Sequence, residues 1–152
     1  MTTNLLALDL GTKTGWAFSH LGVILSGREV FQQDRFSGGG MRFLKFRNWL
    51  DAMNTIEHGI REVCFEEVRR HLGTDAAHVY GGMLGMLTAW CEDKNIPYQG
   101  VPVGTIKKFI TGKGNASKEE VIEAIKRKGH TPTDDNEADA LALLYWRLGQ
   151  NG

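Results

Sequence analysis

Three acidic elements of this sequence stand where acids are costly. Asp9 ends the run Leu5-Leu6-Ala7-Leu8, Glu66 and Glu67 interrupt Phe65-Glu66-Glu67-Val68, and Asp139 is flanked by Ala138, Ala140 and Leu141. A charge in apolar surroundings is strongly penalised unless it is paired or bound to a metal. Read singly, each acid has a plain structural explanation. Asp9 can cap the glycine turn that follows it, and one acid of the Glu66-Glu67 pair can face solvent at a strand end. Asp134, Asp135 and Glu137 are favoured by the dipole at a helix N-terminus. Asp139 lies further in, where that explanation is weaker. Taken together, acids from two strands and a helix favour a shared metal site.

Spacing narrows the ligand set. Strand alternation sends Glu66 and Glu67 to opposite faces, so at most one of them looks into a given site. Asp135 and Asp139 are related by i,i+4, and Asn136 and Asp139 by i,i+3, so either pair shares a helix face. Spacing leaves both pairs open, Asp135 bringing a charge to that face and Asn136 a neutral amide. An all-oxygen set suits Mg²⁺ or Mn²⁺. Two such ions about 4 Å apart activate a water and stabilise the leaving 3′ oxygen in phosphodiester hydrolysis. The five histidines are scattered without zinc spacing, and Cys64 and Cys91 lack CxxC spacing and are expected as buried free thiols.

The elements that must position these residues are legible in the apolar pattern. Asn4–Leu10 is predicted as a buried strand, Gly11–Gly15 as a tight turn, and Trp16–Ser19 and Gly22–Phe31 as strands returning beside it. Ser37–Gly40 reads as a flexible connector. Phe43, Phe46, Leu50 and Met53 recur at helical spacing, and Val63–Val68 follows as a short strand. Ala76–Lys94 is a long helix with Val79, Met83, Met86, Leu87 and Trp90 on one broad face. Ile96–Val103 is predicted as a strand and Ile106–Ile110 as a short helix or turn. Ser117 with Glu120 forms a capping box that opens a helix through Lys128, ended by Gly129. Thr133 or Asp134 starts a last helix to about Leu148. The sum is one α/β domain over residues 1–152, with a mixed sheet covered by helices.

Eighteen basic and eighteen acidic residues give no net charge. Their distribution is uneven, with Lys107, Lys108, Lys113, Lys118, Lys126, Arg127 and Lys128 in one stretch. A neutral total therefore accommodates a basic face beside an acidic pocket. No apolar run approaches the roughly 20 residues of a membrane span. With no basic region or small-residue cleavage site ahead of Asn4–Leu10, a cytoplasmic protein is expected.

Leu6-Ala7-Leu8-Asp9-Leu10-Gly11-Thr12-Lys13-Thr14-Gly15-Trp16-Ala17 resembles the first-strand motif of the RuvC-type Holliday junction resolvases, members of the RNase H-like superfamily. Phe65-Glu66-Glu67-Val68 is similar to their second motif and Asp139-Ala140-Leu141-Ala142 to their terminal one. The resemblance covers nearly the whole chain, in order. It implies a five-stranded mixed sheet with three antiparallel N-terminal strands followed by parallel ones. It also implies a homodimeric endonuclease acting on four-way or branched DNA in a bacterial or phage-infected cell. Asp9, Glu66 and Asp139, with Asp135 or Asn136, would hold two Mg²⁺ ions, for which Mn²⁺ substitutes. Lys107 and Lys118 match the family's basic positions near the cut, and Lys13, Arg69, Arg70 and Lys113 would contact flanking DNA backbone.

The sequence departs from the family at three places. Asn136 stands where Asp or His is usual, Arg69-Arg70-His71 replaces an aromatic that some members insert at the junction, and Leu10 stands where bacterial members often carry Pro. Leu10 is closer to the phage-type and virus-type relatives. Two other readings share the pattern: an RNase H-like nuclease on another substrate (flaps, other branched DNA, or RNA in the manner of YqgF), and a junction-binding module without catalysis. Gly81, Gly82 and Gly85 cost helix stability unless something packs closely there, either a second subunit or the sheet.

Overall fold

Side-chain parity along the first strand decides which face each residue serves. In β1 (Leu5–Asp9), Leu6 and Leu8 join one apolar cluster and Leu5 and Ala7 the other, so the strand is buried on both faces. The structure, a computed structural model, describes residues 4–32, 36, 38–68 and 73–150. β2 (Lys13–His20) and β3 (Val23–Val30) follow, then α1 (Met41–Met53), β4 (Glu62–Glu67), α2 (Thr74–Lys94), β5 (Tyr98–Pro102), α3 (Val103–Thr111), α4 (Lys118–Arg127) and α5 (Asp135–Leu148). The strands form one sheet in the order β3-β2-β1-β4-β5. β1, β2 and β3 pair antiparallel, whereas β4 runs parallel to β1 and β5 parallel to β4. This is the expected mixed five-stranded sheet.

Each face of the sheet carries its own core. On one, α1 and α2 bury Phe46, Leu50, Met83, Leu87 and Trp90 against Leu6, Leu8, Val63 and Phe65. On the other, α3, α4 and α5 bury Ile106, Val121, Ile125 and the run Ala138–Leu144 against Leu5, Ala7 and Cys64. The exception inside that run is Asp139, which is only half-buried and belongs to neither cluster.

Most boundaries lie within a residue of the sequence reading, and the larger differences include those at the first turn, the β5–α3 junction and the start of α2. The predicted turn over Gly11–Gly15 is shorter, because Lys13, Thr14 and Gly15 already belong to β2 and Gly15 pairs with Asp9. Thr14 is fully buried and donates its hydroxyl to Gly11 O at 2.7 Å, which closes the turn tightly. β5 ends at Pro102, which has no N–H to extend the ladder, and α3 therefore begins at Val103 rather than Ile106. α2 starts at Thr74, two residues early, and buries Tyr80 in addition to the predicted face. Ser37, part of the predicted connector, lies outside the described residues. The capping box of α4 and the Asp134 cap of α5 form as read.

Two close approaches set helix positions. A Cβ on Gly15 would stand 1.8 Å from Asn136 O, so the first turn of α5 rests directly on β2. A Cβ on Gly82 would meet the Phe43 ring at 2.4 Å, so this glycine lets α2 close on α1. Gly81 and Gly85 face open space. Arg147 at the far end of α5 forms a two-pronged ion pair with Glu62 at the start of β4, with Nη2 3.0 Å from Oε1. Gly15→Ala is expected to cost on the order of 3 kcal/mol by overpacking. Gly81→Ala, on a helix face that is open in the single chain, should instead stabilise the isolated subunit by about 1 kcal/mol. Urea unfolding of the two variants measures both.

Candidate metal centre

The parity that buries Leu5 and Ala7 under α5 also aims Asp9 at that helix. In β4 the same alternation places Glu62, Cys64 and Glu66 on the α5 side and Val63 and Phe65 on the other. Leu8 and Phe65 are the last paired residues of β1 and β4, so Asp9 and Glu66 emerge side by side one position later. α5 crosses above them and supplies Asp139. Carboxylate oxygens of Asp9, Glu66 and Asp139 all lie within 4.8 Å of one another.

Glu66 and Asp139 border an apolar floor that includes Ile106, Val121 and Ala142. Burial is the main reason that all three resist ionisation. Asp9 is raised well above the ordinary carboxylate range, first by burial and then by Glu66, Asp139 and Asp135. Glu66 is raised by burial, with Lys107 pulling it down and Asp135 pushing it up. Asp139 is raised to about 7 by burial, Glu66 and Asp135, against the opposing pull of Lys107 and Lys118. Like charges with too little water around them call for a cation.

The donor set fits a hard divalent ion. Every group is a carboxylate oxygen, and metal–oxygen bonds of about 2.1 Å require ligand atoms about 3–4 Å apart. Small side-chain movements bring the observed trio to that spacing. The fourth position is also informative. Asn136 donates its amide to Asp134 Oδ2 at 3.1 Å, whereas Asp135 acts electrostatically on Asp9, Glu66 and Asp139.

The basic residues divide. Lys107, half-buried on α3, lies close enough to Glu66 and Asp139 to lower both. Lys118, the first residue of α4, is exposed and stands 3.4 Å from Asp135 Oδ2. Lys113 is engaged elsewhere, with Nζ 2.8 Å from Glu120 Oε2, and this contact holds Glu120 down at about 2. Lys13 is exposed at the start of β2. Arg69 and Arg70 lie outside the described residues.

Two features escaped the sequence reading. Tyr80 of α2 donates its hydroxyl to Glu66 O at 2.9 Å and accepts from Val68 N at 3.2 Å, which fixes the end of β4. On an apolar helix face a tyrosine gives no sign of that role. Beside the carboxylates a cleft of about 700 Å³ opens, lined by Leu10, Gly11, Thr12, Arg42, Val68 and Tyr80 among others. Its walls come from separate elements, so no local motif announces it.

No protein-family model matches the chain, and no curated protein matches its sequence. Solved structures do. Thermus thermophilus RuvC in complex with a Holliday junction substrate superposes with a TM-score of 0.77 at 21% identity, over 97% of both chains. A second T. thermophilus RuvC structure gives 0.71 at 22% identity, over 95% of this chain and 96% of that one. The yeast mitochondrial Holliday junction resolvase Ydc2 gives 0.60 at 13% identity, over 97% of this chain and 80% of its own. The chain therefore has the RNase H-like fold of the RuvC-type resolvases across nearly its full length.

Proposed function

We propose that this protein is a structure-selective endonuclease that cleaves Holliday junctions or related branched DNA by divalent-metal-dependent phosphodiester hydrolysis. The observation that carries the reading is the meeting of Asp9, Glu66 and Asp139 within 4.8 Å on a fold shared with junction resolvases. Those three residues, with Asp135, would hold two Mg²⁺ or Mn²⁺ ions. When bound there, the ions supply Lewis-acid activation of a water and charge stabilisation at the leaving 3′ oxygen.

The chain's own residues do the rest. Lys107, already beside Glu66 and Asp139, is placed to offset phosphate charge at the cut. Lys118 can exchange Asp135 for a phosphate oxygen, since its side chain is three-quarters exposed. Lys13 and Lys113, together with Arg69 and Arg70, would hold flanking strands by backbone contacts, which bring affinity without sequence information. For Lys113 this requires release from Glu120. Symmetric resolution of a four-way junction needs two cuts, and hence a homodimer. The open, exposed glycines Gly81 and Gly85 on α2 suit a close subunit contact.

A second reading, junction binding without cleavage, rests on Asn136, whose amide is committed to Asp134. Digestion of a mobile four-way junction separates the two, with flap, duplex and RNA–DNA hybrid substrates run alongside. Metal-dependent cleavage of the junction is expected. Asp9→Asn is expected to lower the rate on the order of 10³-fold, the size of several kcal/mol of lost charge stabilisation, while junction binding in a gel-shift assay persists. Wild-type binding without cleavage at any Mg²⁺ or Mn²⁺ concentration would favour the second reading.

The raised carboxylates also fix a pH dependence. A carboxyl with a folded pKa above its unfolded value binds more protons when folded, so its stabilising effect is lost as pH rises through the folded pKa. For Asp139 that window runs from about 4 to about 7. Without metal, Asp139→Asn should therefore gain in melting temperature over the wild type as pH rises through this window. Adding Mg²⁺ should reverse the order, because the metal requires deprotonated ligands.

A further inference from the structure

α5 and its N-cap carry a second set of polar residues that reach the edge strand. Glu137 is 6% exposed, yet its carboxylate accepts three hydrogen bonds. Ser26 Oγ of β3 donates at 2.7 Å, Thr133 N at 2.9 Å and Thr133 Oγ1 at 2.8 Å. One turn earlier, Asp134 caps the helix by accepting from Glu137 N at 2.9 Å, and also accepts from Arg28 Nη1 of β3 at 3.1 Å. Asn136 Nδ2 donates to the same Asp134 Oδ2 at 3.1 Å. Ser26 and Arg28 thus grip the first turn of α5 from a strand more than a hundred residues away in sequence.

We propose that Glu137 and Asp134, held by Ser26 and Arg28, are positioning residues that set the rotation of α5 and thereby the metal affinity of the carboxylate site. The inference rests on the metal-site reading above and deepens it. Glu137 lies two residues from both Asp135 and Asp139, about 200° around the helix. Pinning it to β3 turns those two acids toward Asp9 and Glu66. Near the site α5 presents the small residues Ala138, Ala140 and Ala142, while the larger Leu141, Leu143 and Leu144 are also buried in this core, so the polar grip on the first turn adds to the apolar packing where the ligands lie. Carboxylates about 6 Å from the helix axis move about 2 Å when the helix turns by about 20°. Metal ligands tolerate errors of only about 0.2 Å.

Mn²⁺ titration calorimetry on the full chain, below its metal-free melting temperature, tests this. The Ser26→Ala, Arg28→Ala double variant and Glu137→Ala are each expected to weaken Mn²⁺ binding about tenfold, as loss of a ligand-orienting contact does. Glu137→Gln keeps an oxygen for Thr133 and an amide that the Ser26 hydroxyl can accept, and should bind Mn²⁺ nearly as the wild type does. Variants that melt earlier but bind Mn²⁺ with wild-type affinity would overturn the proposal, because they would show a stabilising role only. If Glu137→Ala does not fold, the double variant decides by the same criterion. A wild type that binds no Mn²⁺ refutes the metal-site reading itself and this proposal with it. Wild-type binding matched by the variants refutes the positioning role alone.

Discussion

Mutual repulsion among half-buried carboxylates is the constraint around which the rest of this molecule is arranged. Asp9, Glu66 and Asp139 gain nothing from one another, and burial on an apolar floor raises the penalty for charging any of them. A chain selected for stability alone would separate them or replace them with apolar residues. Their convergence is intelligible as a cation site, in which the repulsion in the empty state becomes attraction for a divalent ion. Lys107 and Lys118 temper that repulsion without cancelling it, since Asp139 stays near 7 despite both.

Backbone geometry brings the three groups together with few adjustable parts. Parallel pairing of β1 with β4 delivers Asp9 and Glu66 as neighbours, and period-two alternation puts both on the α5 side. α5 is then fixed along its length. Arg147 grips Glu62 at one end, and Ser26 and Arg28 hold the other, where Gly15 also lets Asn136 settle against β2. The hydrophobic run Ala138–Leu144 supplies the burial that keeps the helix on the sheet, while the polar contacts choose its orientation. The fold superposes on the RuvC and Ydc2 structures at identities where little of the sequence is shared.

Much of this is legible in the sequence, and the reason is local. Strand parity admits only one of Glu66 and Glu67 to a site shared with Asp9, and the family resemblance points to Glu66. Ser117 and Glu120 announced their helix because a capping box is a contact between near neighbours. What stayed hidden depends on distant parts of the chain. Nothing near Tyr80 reveals that its hydroxyl will hold the end of β4, and nothing near Glu137 reveals Ser26, 111 residues away. Asn136 and Asp135 could not be ranked beyond their charge, since the choice turns on where Asp134 places the Asn136 amide. The cleft beside Leu10 and Arg42 is assembled from separate walls, each ordinary by itself.

Anomalous diffraction from crystals grown with Mn²⁺ interrogates the acidic cluster most directly. A peak between the carboxylates of Asp9, Glu66 and Asp139, with oxygens drawn in to about 2.2 Å, is the expected result. Well-ordered density for all three side chains with no ion between them at millimolar Mn²⁺, or with the carboxylates turned apart, would contradict the account.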